Sequence, residues 1–328
     1  MTMPGPIFVA GLERSGTSLM YALLASHPNI AMTRRTNLWT HFFDQYGDLE
    51  EDANLDRCLQ MMARYRRLVI LEIDWPRLRS DFVAGPRTYA RLFDLLELQF
   101  AERQGKSRWG DKSLNTERYA DQLLAAYPGA RVLHMIRDPR DRFASSLTRW
   151  KIRRGGIGAG TAEWLASARM AAHHSRRAPD RYMVVRYESL VSEPEATLRT
   201  ICDFIGEDYT PAMLSMDGAA RFKNEGGNSS YGSREPAAIT PDSVGRFRTV
   251  LSGRDIALMQ MFAADEMERY GYVPERVALD VAGRLRLALA GVPLEVARLV
   301  AWRAREAYRN RRGRPVPSYR LVDPAAAA

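Results

Sequence analysis

An apolar run, Pro6-Ile7-Phe8-Val9-Ala10, ends at Gly11 and passes through Leu12-Glu13-Arg14-Ser15-Gly16 into Thr17-Ser18, then Leu19, Leu23 and Leu24 at helical spacing. This strand, glycine-bounded turn and helix constrain the fold more than any other feature of the chain. A short strand without polar alternation must be covered on both faces. That is the situation of a parallel sheet, and the helix after it is the crossover such a sheet requires. The helix stops at His27-Pro28, where proline cannot continue it. The spacing of Gly11 and Gly16 is that of a phosphate-cradling loop. Backbone N–H groups of such a turn converge on one point, and the positive end of the helix faces the same point, so the turn suits an anion.

The pattern repeats. Arg131 to Ile136 reads as a second buried strand, followed by a turn at Asp138-Pro139 and a helix towards Trp150. Arg181 to Val185 reads as a third, followed by a helix through Phe204 in which Ser192 caps and Pro194 occupies the first turn. Alternating strands and helices predict an α/β fold, a P-loop-like three-layer sandwich with a central parallel sheet. Residues 36–105 read as a helical insertion, with Trp39, Phe42 and Phe43 on one side of a helix and another helix from Tyr89 to Glu102. The glycine-rich stretch 152–160 reads as a flexible connection, and 218–245, rich in Gly, Asn and Ser, as a loop over a site. A length of 328 residues suits one large domain, 1–275, with a helical C-terminal extension, 276–328. Two cysteines, Cys58 and Cys202, exclude a disulfide framework and a Cys-rich zinc site. They fit a reducing cytoplasm, as does an N-terminus without a basic leader region.

The first loop departs from the nucleoside triphosphatase pattern. That pattern places Lys directly after the second glycine, whereas here Thr17 follows Gly16 and the cation, Arg14, lies inside the loop. The loop can hold a phosphate but lacks the usual grip on a β/γ pair. A second anion element comes after the second strand. Arg137 ends it and Ser145 comes eight residues later, two turns into the helix, where a bidentate guanidinium and a hydroxyl can reach one phosphate.

Together these residues resemble the sulfotransferases that use PAPS (3′-phosphoadenosine 5′-phosphosulfate), with an N-terminal region similar to the tyrosylprotein sulfotransferases. The resemblance implies that Arg14, Ser15, Gly16, Thr17 and Ser18 form the 5′-phosphosulfate loop, and that Arg137 and Ser145 bind the 3′-phosphate. Trp109-Gly110-Asp111-Lys112-Ser113 resembles a family segment whose Lys reaches the sulfate, and Val185 to Leu190 a segment whose Tyr, here Tyr187, lies near the nucleotide. Asn228 to Tyr231 and Ser243 to Arg248 resemble the loop that closes over PAPS, with Ser230 and Arg246 as its contacts. The activity this resemblance implies is sulfuryl transfer from PAPS, as co-substrate, to a hydroxyl on a carbohydrate, glycolipid or small metabolite. Arg14 and Lys112 would stabilise the transition state and Ser230 would be a further donor, with no metal.

An acceptor hydroxyl also needs a general base. In the tyrosylprotein enzymes a Glu follows the His-Pro segment, but here Arg34 and Arg35 stand in that region. A tyrosine-protein substrate is therefore in doubt, and two arginines on the acceptor side suggest an anionic acceptor, with a surface arginine pair as the alternative. Glu13, Asp111, His41 and Asp74 are the candidate bases, and Glu13 and Asp111 lie inside the matched motifs. His134, within an apolar strand, reads as a core residue. The rival readings are a P-loop nucleotide kinase or NTPase, against which Thr17 counts, and a nucleotide-binding module without catalysis.

The formal charge is +9, but residues 277–328 alone hold ten Arg against four acids. The basic character thus belongs mainly to the extension, where Leu294, Leu299 and Trp302 alternate with Arg298, Arg303, Arg305 and Arg309. A helix packed on the body is the first expectation and peripheral contact with an anionic membrane the second. Nucleic acid is not expected as a partner, because no reader motif accompanies the arginines.

Overall fold

The computed structural model describes residues 5–150, 156–227, 238–312 and 314–322. Among them five strands, β1 (Ile7–Ala10), β2 (Ile30–Arg34), β3 (Arg108–Lys112), β4 (Arg131–Ile136) and β5 (Tyr182–Arg186), form one parallel sheet in the order β2-β3-β1-β4-β5. The register aligns Ile7 with both Gly110 and Arg131, Arg34 with Lys112, and Ile136 with Arg186. The α/β sandwich expected from the alternation is thus present, with β1 at its centre.

Alternation along each strand sends side chains to opposite faces. Phe8 and Val132 pack against the helical insertion through Trp109, Leu92 and Phe93. Ile7, Val9, Leu133 and Met135 pack against Leu23, Leu24, Leu198 and Ile201 on the other face. The insertion contains the helices Asp52–Arg64, Trp75–Val83 and Tyr89–Arg103. Trp39 packs within it, with Phe43 at 4.7 Å and Phe93 at 5.5 Å between ring centroids. Phe42 and Phe43 lie just beyond a short helix, Leu38–His41, rather than on it.

Two strands escape a reading by apolarity. In β3 the sequence Arg108-Trp109-Gly110-Asp111-Lys112 is three-fifths charged, yet every residue is buried. Arg108 illustrates how this is tolerated: its guanidinium donates to the carbonyls of Gly5 (2.7 Å) and Ile205 (2.7 Å) and pairs with Glu207 (3.1 Å). A buried cation with its donors occupied is acceptable where an unpaired one is not. The other is β2, whose Thr33 and Arg34 interrupt its apolar start. In β4, His134 behaves as a core residue, between the Tyr182 hydroxyl at 2.7 Å and Ser167 Oγ at 3.0 Å, and burial lowers its pKa to about 4.

Two expectations are corrected. The helix Pro194–Ile205 is preceded by Glu193, and Ser192 closes the previous helix, Tyr187–Ser192, instead of capping the next one. The stretch 152–160 is not a connection throughout: 156–160 open the long helix Gly156–Arg177, while 151–155 lie outside the described residues. These glycines serve close packing. The C-terminal helix Val292–Arg312 lies against them, and a Cβ on Gly158 would fall on the Glu295 carbonyl. The buried Glu295 carboxylate accepts from the Gly158 N–H at 2.8 Å and from Arg298 at 2.6 Å, so it caps the 156–177 helix from another element. The extension is therefore docked on the body, as first expected, with Leu294, Val296 and Val300 on its exposed side. Among the described residues no helix is long and apolar enough to cross a membrane.

Gly158→Ala discriminates between a linker and a packed interface. In a free helix the change stabilises by about 0.5–1 kcal/mol, through propensity. Here the methyl meets backbone, so denaturant unfolding should show a loss of about 1–3 kcal/mol. A gain in stability would contradict this packing.

Candidate active site

All five strands deliver their carboxyl ends to one side of the sheet, and β1 sits where the chain path reverses between β3 and β4. Ligands of open α/β sheets bind in the crevice outside such a point. The residues singled out by motif meet there. The loop 11–18 follows β1, Arg34 ends β2 with Arg35 just after it, Lys112 ends β3, Arg137 follows β4, and Tyr187 follows β5.

The first loop is wound tightly. Gly11 has φ 111° and Gly16 φ 91°, backbone that L residues avoid, and Arg14 holds φ 72° despite its side chain. A Cβ on Gly16 would stand 2.5 Å from the Tyr187 ring, so only glycine leaves room for the tyrosine against the loop. Ser15 donates its N–H to the Leu12 carbonyl at 3.2 Å, and the buried Glu117 carboxylate accepts the Gly11 N–H at 3.3 Å. Thr17 opens the helix Thr17–Ala25, and the buried hydroxyls of Ser15, Thr17 and Ser18 take no partner among the described residues.

Arg137 ties the two anion loops together. Its Nη1 donates to the Arg14 carbonyl at 3.0 Å and its Nη2 to the Ser243 carbonyl at 2.7 Å, and its guanidinium stacks 4.4 Å from the Tyr187 ring centroid. Its Nε is buried without an acceptor among the described residues. Arg14 Nε in turn donates to Ser145 Oγ at 3.0 Å, so the cation of the first loop and the hydroxyl of the second share one spot. Asp141 fixes the late segment. Its two oxygens accept the N–H groups of Gly245 (2.7 Å) and Phe247 (2.8 Å), which fixes the backbone on either side of Arg246.

Lys112 is buried, and its ammonium has no hydrogen-bond partner among the described residues. Burial first, then the charges of Arg35 and Arg34, bring its pKa down to about 7, against the opposing pull of Asp111 and Glu13. Glu13 is half-buried. Burial pushes its carboxyl up, while Arg142, Arg14 and Lys112 pull it down. Asp111 is enclosed, and its Oδ1 accepts the hydroxyls of Thr33 (3.0 Å) and Thr36 (3.0 Å). The Thr33 hydroxyl oxygen also lies 3.0 Å from Oε1 of the fully buried Glu97, and burial with the neighbouring Asp111 raises the Glu97 pKa well above the carboxylate range.

The remaining candidates separate. His41 holds the C-terminal segment: its Nδ1–H donates to the Arg314 carbonyl at 2.6 Å, and burial lowers its pKa. Asp74 caps the helix Trp75–Val83 by accepting the Arg77 N–H at 2.9 Å. Neither belongs to the crevice as a base. Ser230 lies outside the described residues. Sequence reading missed Glu117, Asp141 and Glu97. Asp141 had a local signal, being four residues beyond Arg137 in the second loop, whereas Glu117 and Glu97 reach the site only through the fold.

The sheet topology and the paired anion loops define a P-loop-like α/β protein. Among solved structures this chain is similar to the sulfotransferase domain of the Synechococcus PCC 7002 olefin synthase, with TM-score 0.55, 22% identity, and coverage of 82% of this chain and 94% of that one. The model of the sulfotransferase family matches residues 6–211, and the chain belongs to that family. It is 26% identical over 215 residues to protein-tyrosine sulfotransferase A of Caenorhabditis elegans, covering 63% of this chain and 51% of the relative. A shorter match, 34% over 96 residues, links it to carbohydrate sulfotransferase 2 of Mus musculus, covering 29% of this chain and 17% of the relative. The chain thus spans about half the length of the first of these relatives and less of the second.

A lysine with a pKa near 7 must gain a proton when an anion settles beside it. Titrating PAP, the 3′,5′-bisphosphate, at pH 7 in buffers of different ionisation enthalpy should show about half a proton more taken up by the wild type than by Lys112→Met. The affinity difference between the two should shrink as pH rises above 7, where Lys112 loses its charge. Equal proton uptake in both proteins would remove Lys112 from the anion site.

Proposed function

We propose that this chain transfers a sulfuryl group from PAPS to a hydroxyl acceptor on a carbohydrate, glycolipid or small metabolite. The observation that carries this reading is the joining of the two anion loops through Arg137, Arg14 and Ser145, since a nucleotide with phosphates at both its 5′ and 3′ positions calls for two such loops side by side. In this reading the loop amides with Ser15, Thr17 and Ser18 hold the 5′-phosphate, and Arg137 with Ser145 the 3′-phosphate. Tyr187 lies against the nucleotide, with Arg246 over it.

The acceptor oxygen attacks sulfur in line, the new O–S bond forms, and the bond from sulfur to the bridging 5′-phosphate oxygen breaks. The sulfated acceptor and PAP are released, and the acceptor proton passes to a base. Arg14 and Lys112 meet the charge that grows on the departing oxygen, and their fixed placement is what makes them effective. Glu13 is the base this reading prefers. Its carboxylate has no hydrogen-bond partner among the described residues, it lies within the fields of both Arg14 and Lys112, and burial raises its proton affinity. Asp111, with its oxygen already taken by two threonines, positions the end of β3 instead. Family membership and Thr17 in the lysine position both disfavour a kinase or NTPase.

Transfer of labelled sulfuryl from PAPS to a panel of hydroxylated acceptors tests the proposal. Arg14→Ala should cut turnover about 10²–10³-fold while PAP still binds. Glu13→Gln should cost about 10²–10⁴-fold. Because the working form of Glu13 is deprotonated and its pKa is raised, wild-type kcat/KM should climb with pH along an acid limb that the Gln variant lacks. Turnover of Glu13→Gln equal to wild type with the limb intact would assign the base elsewhere.

A further inference from the structure

The C-terminal segment does more than dock. After the Val292–Arg312 helix the chain returns across the body. Leu321 forms an antiparallel bridge with Tyr65, and the Val322 N–H donates to the Arg64 carbonyl at 2.9 Å. The Arg314 carbonyl accepts from His41. This strap lands beside the end of β2. The Tyr65 hydroxyl reaches the Arg35 carbonyl at 3.4 Å, and Asn37 joins them by donating to that carbonyl at 2.9 Å and to the Tyr65 oxygen at 2.8 Å.

Four arginines are gathered by this path. Arg34 ends β2 and Arg35 follows it, Arg67 is two residues past Tyr65, and Arg320 is next to Leu321. All four are half-buried, and none has a carboxylate within salt-bridge distance among the described residues. Arg35 holds a left-handed backbone, φ 64°, and its N–H donates to the Lys112 carbonyl at 2.8 Å, which places the cluster next to the cation of β3. Arg34 lies over the Tyr21 ring at 5.5 Å, and Arg320 approaches His41 Nε2 at 3.5 Å. The cations repel one another: after burial, Arg67 lowers Arg34, Arg34, Arg320 and Arg149 lower Arg35, and Arg35, Arg66 and Arg320 lower Arg67, with Glu225 the opposing acid at Arg34 and Glu13 at Arg35. Like charges held together with no carboxylate in direct contact oppose folding and are relieved by a bound anion.

Sheet order says which anion. The nucleotide loops follow β1 and β4, whereas this cluster lies at the β3–β2 edge, on the other side of Lys112. Resting on the sulfotransferase reading, we propose that Arg34, Arg35, Arg67 and Arg320 form an oxyanion subsite for the acceptor. The C-terminal strap completes it, and the acceptor class is a hydroxyl compound carrying its own phosphate, sulfate or carboxylate. Guanidinium forks grip such groups by two donors each. The subsite would hold the acceptor's charge while its hydroxyl faces the sulfuryl group.

Thermal shift of the full chain tests this, with PAP saturating the nucleotide loops and inorganic phosphate as the probe against chloride at equal ionic strength. Phosphate should raise the midpoint of the PAP-bound wild type. Arg320→Gln and Arg67→Gln should each weaken its apparent affinity about tenfold, Arg320→Lys should weaken it less, and the PAP shift should stay unchanged throughout. Phosphate affinity equal to wild type in both Gln variants, or no phosphate shift in the wild type, would overturn the subsite. Loss of the PAP shift in Arg320→Gln would overturn it too, by assigning the arginines to the nucleotide. A wild type that PAP does not stabilise would instead overturn the sulfotransferase reading, and this inference with it.

Discussion

Arg137 is the interaction on which the site depends. Its two outer nitrogens hold the carbonyls of Arg14 and Ser243, and its face lies on Tyr187, so one guanidinium joins the loops after β1, β4 and β5 to the late segment. Without it the first loop would lose the donor that holds the carbonyl of Arg14, a residue at φ 72°. A strained residue persists only where its surroundings over-determine it. Here those surroundings are Arg137 from behind, Ser145 at the side chain, and Glu117 at the loop's first amide. The geometry is thus set before any ligand arrives, which is the condition for electrostatic stabilisation without reorganisation.

Around that frame the charges are poised rather than paired. Lys112, at a pKa near 7, and Glu13, raised by burial, stand in the same crevice with their proton affinities moved towards each other. A desolvated ammonium without a partner is costly in a resting protein and gains most when an anion comes beside it. The arginines at the end of β2 add to the depression of Lys112. Lys112 and the arginines at the end of β2 are therefore electrostatically linked, and an anion bound beside the arginines would raise the charge carried by Lys112.

The legible parts of the site were those whose chemistry is local. Gly11, Arg14, Gly16 and Thr17 come in sequence, as do Arg137, Asp141 and Ser145, and an anion loop needs its residues in that order. The fold class was legible for the same reason, because β1, β4 and β5 are apolar enough to declare themselves. β3 was not, because a strand of Arg, Asp and Lys reads as surface until Gly5, Ile205 and Glu207 are seen to satisfy Arg108. The glycines at 156–160 read as slack because the element that needs them small, the helix around Glu295, lies 137 residues away along the chain. The meeting of Arg67 and Arg320 with Arg35 had no local signal. It is made by Tyr65 pairing with Leu321, a contact set by the path of the whole extension.

The central claim is that the crevice reads a nucleotide phosphorylated on both sides of its ribose. Calorimetric titration with PAP, with AMP, and with ATP plus magnesium measures this directly. PAP should bind tightly and AMP should fall short by the contribution of the 3′-phosphate. Magnesium-ATP binding more tightly than PAP, or AMP matching PAP, would contradict the account.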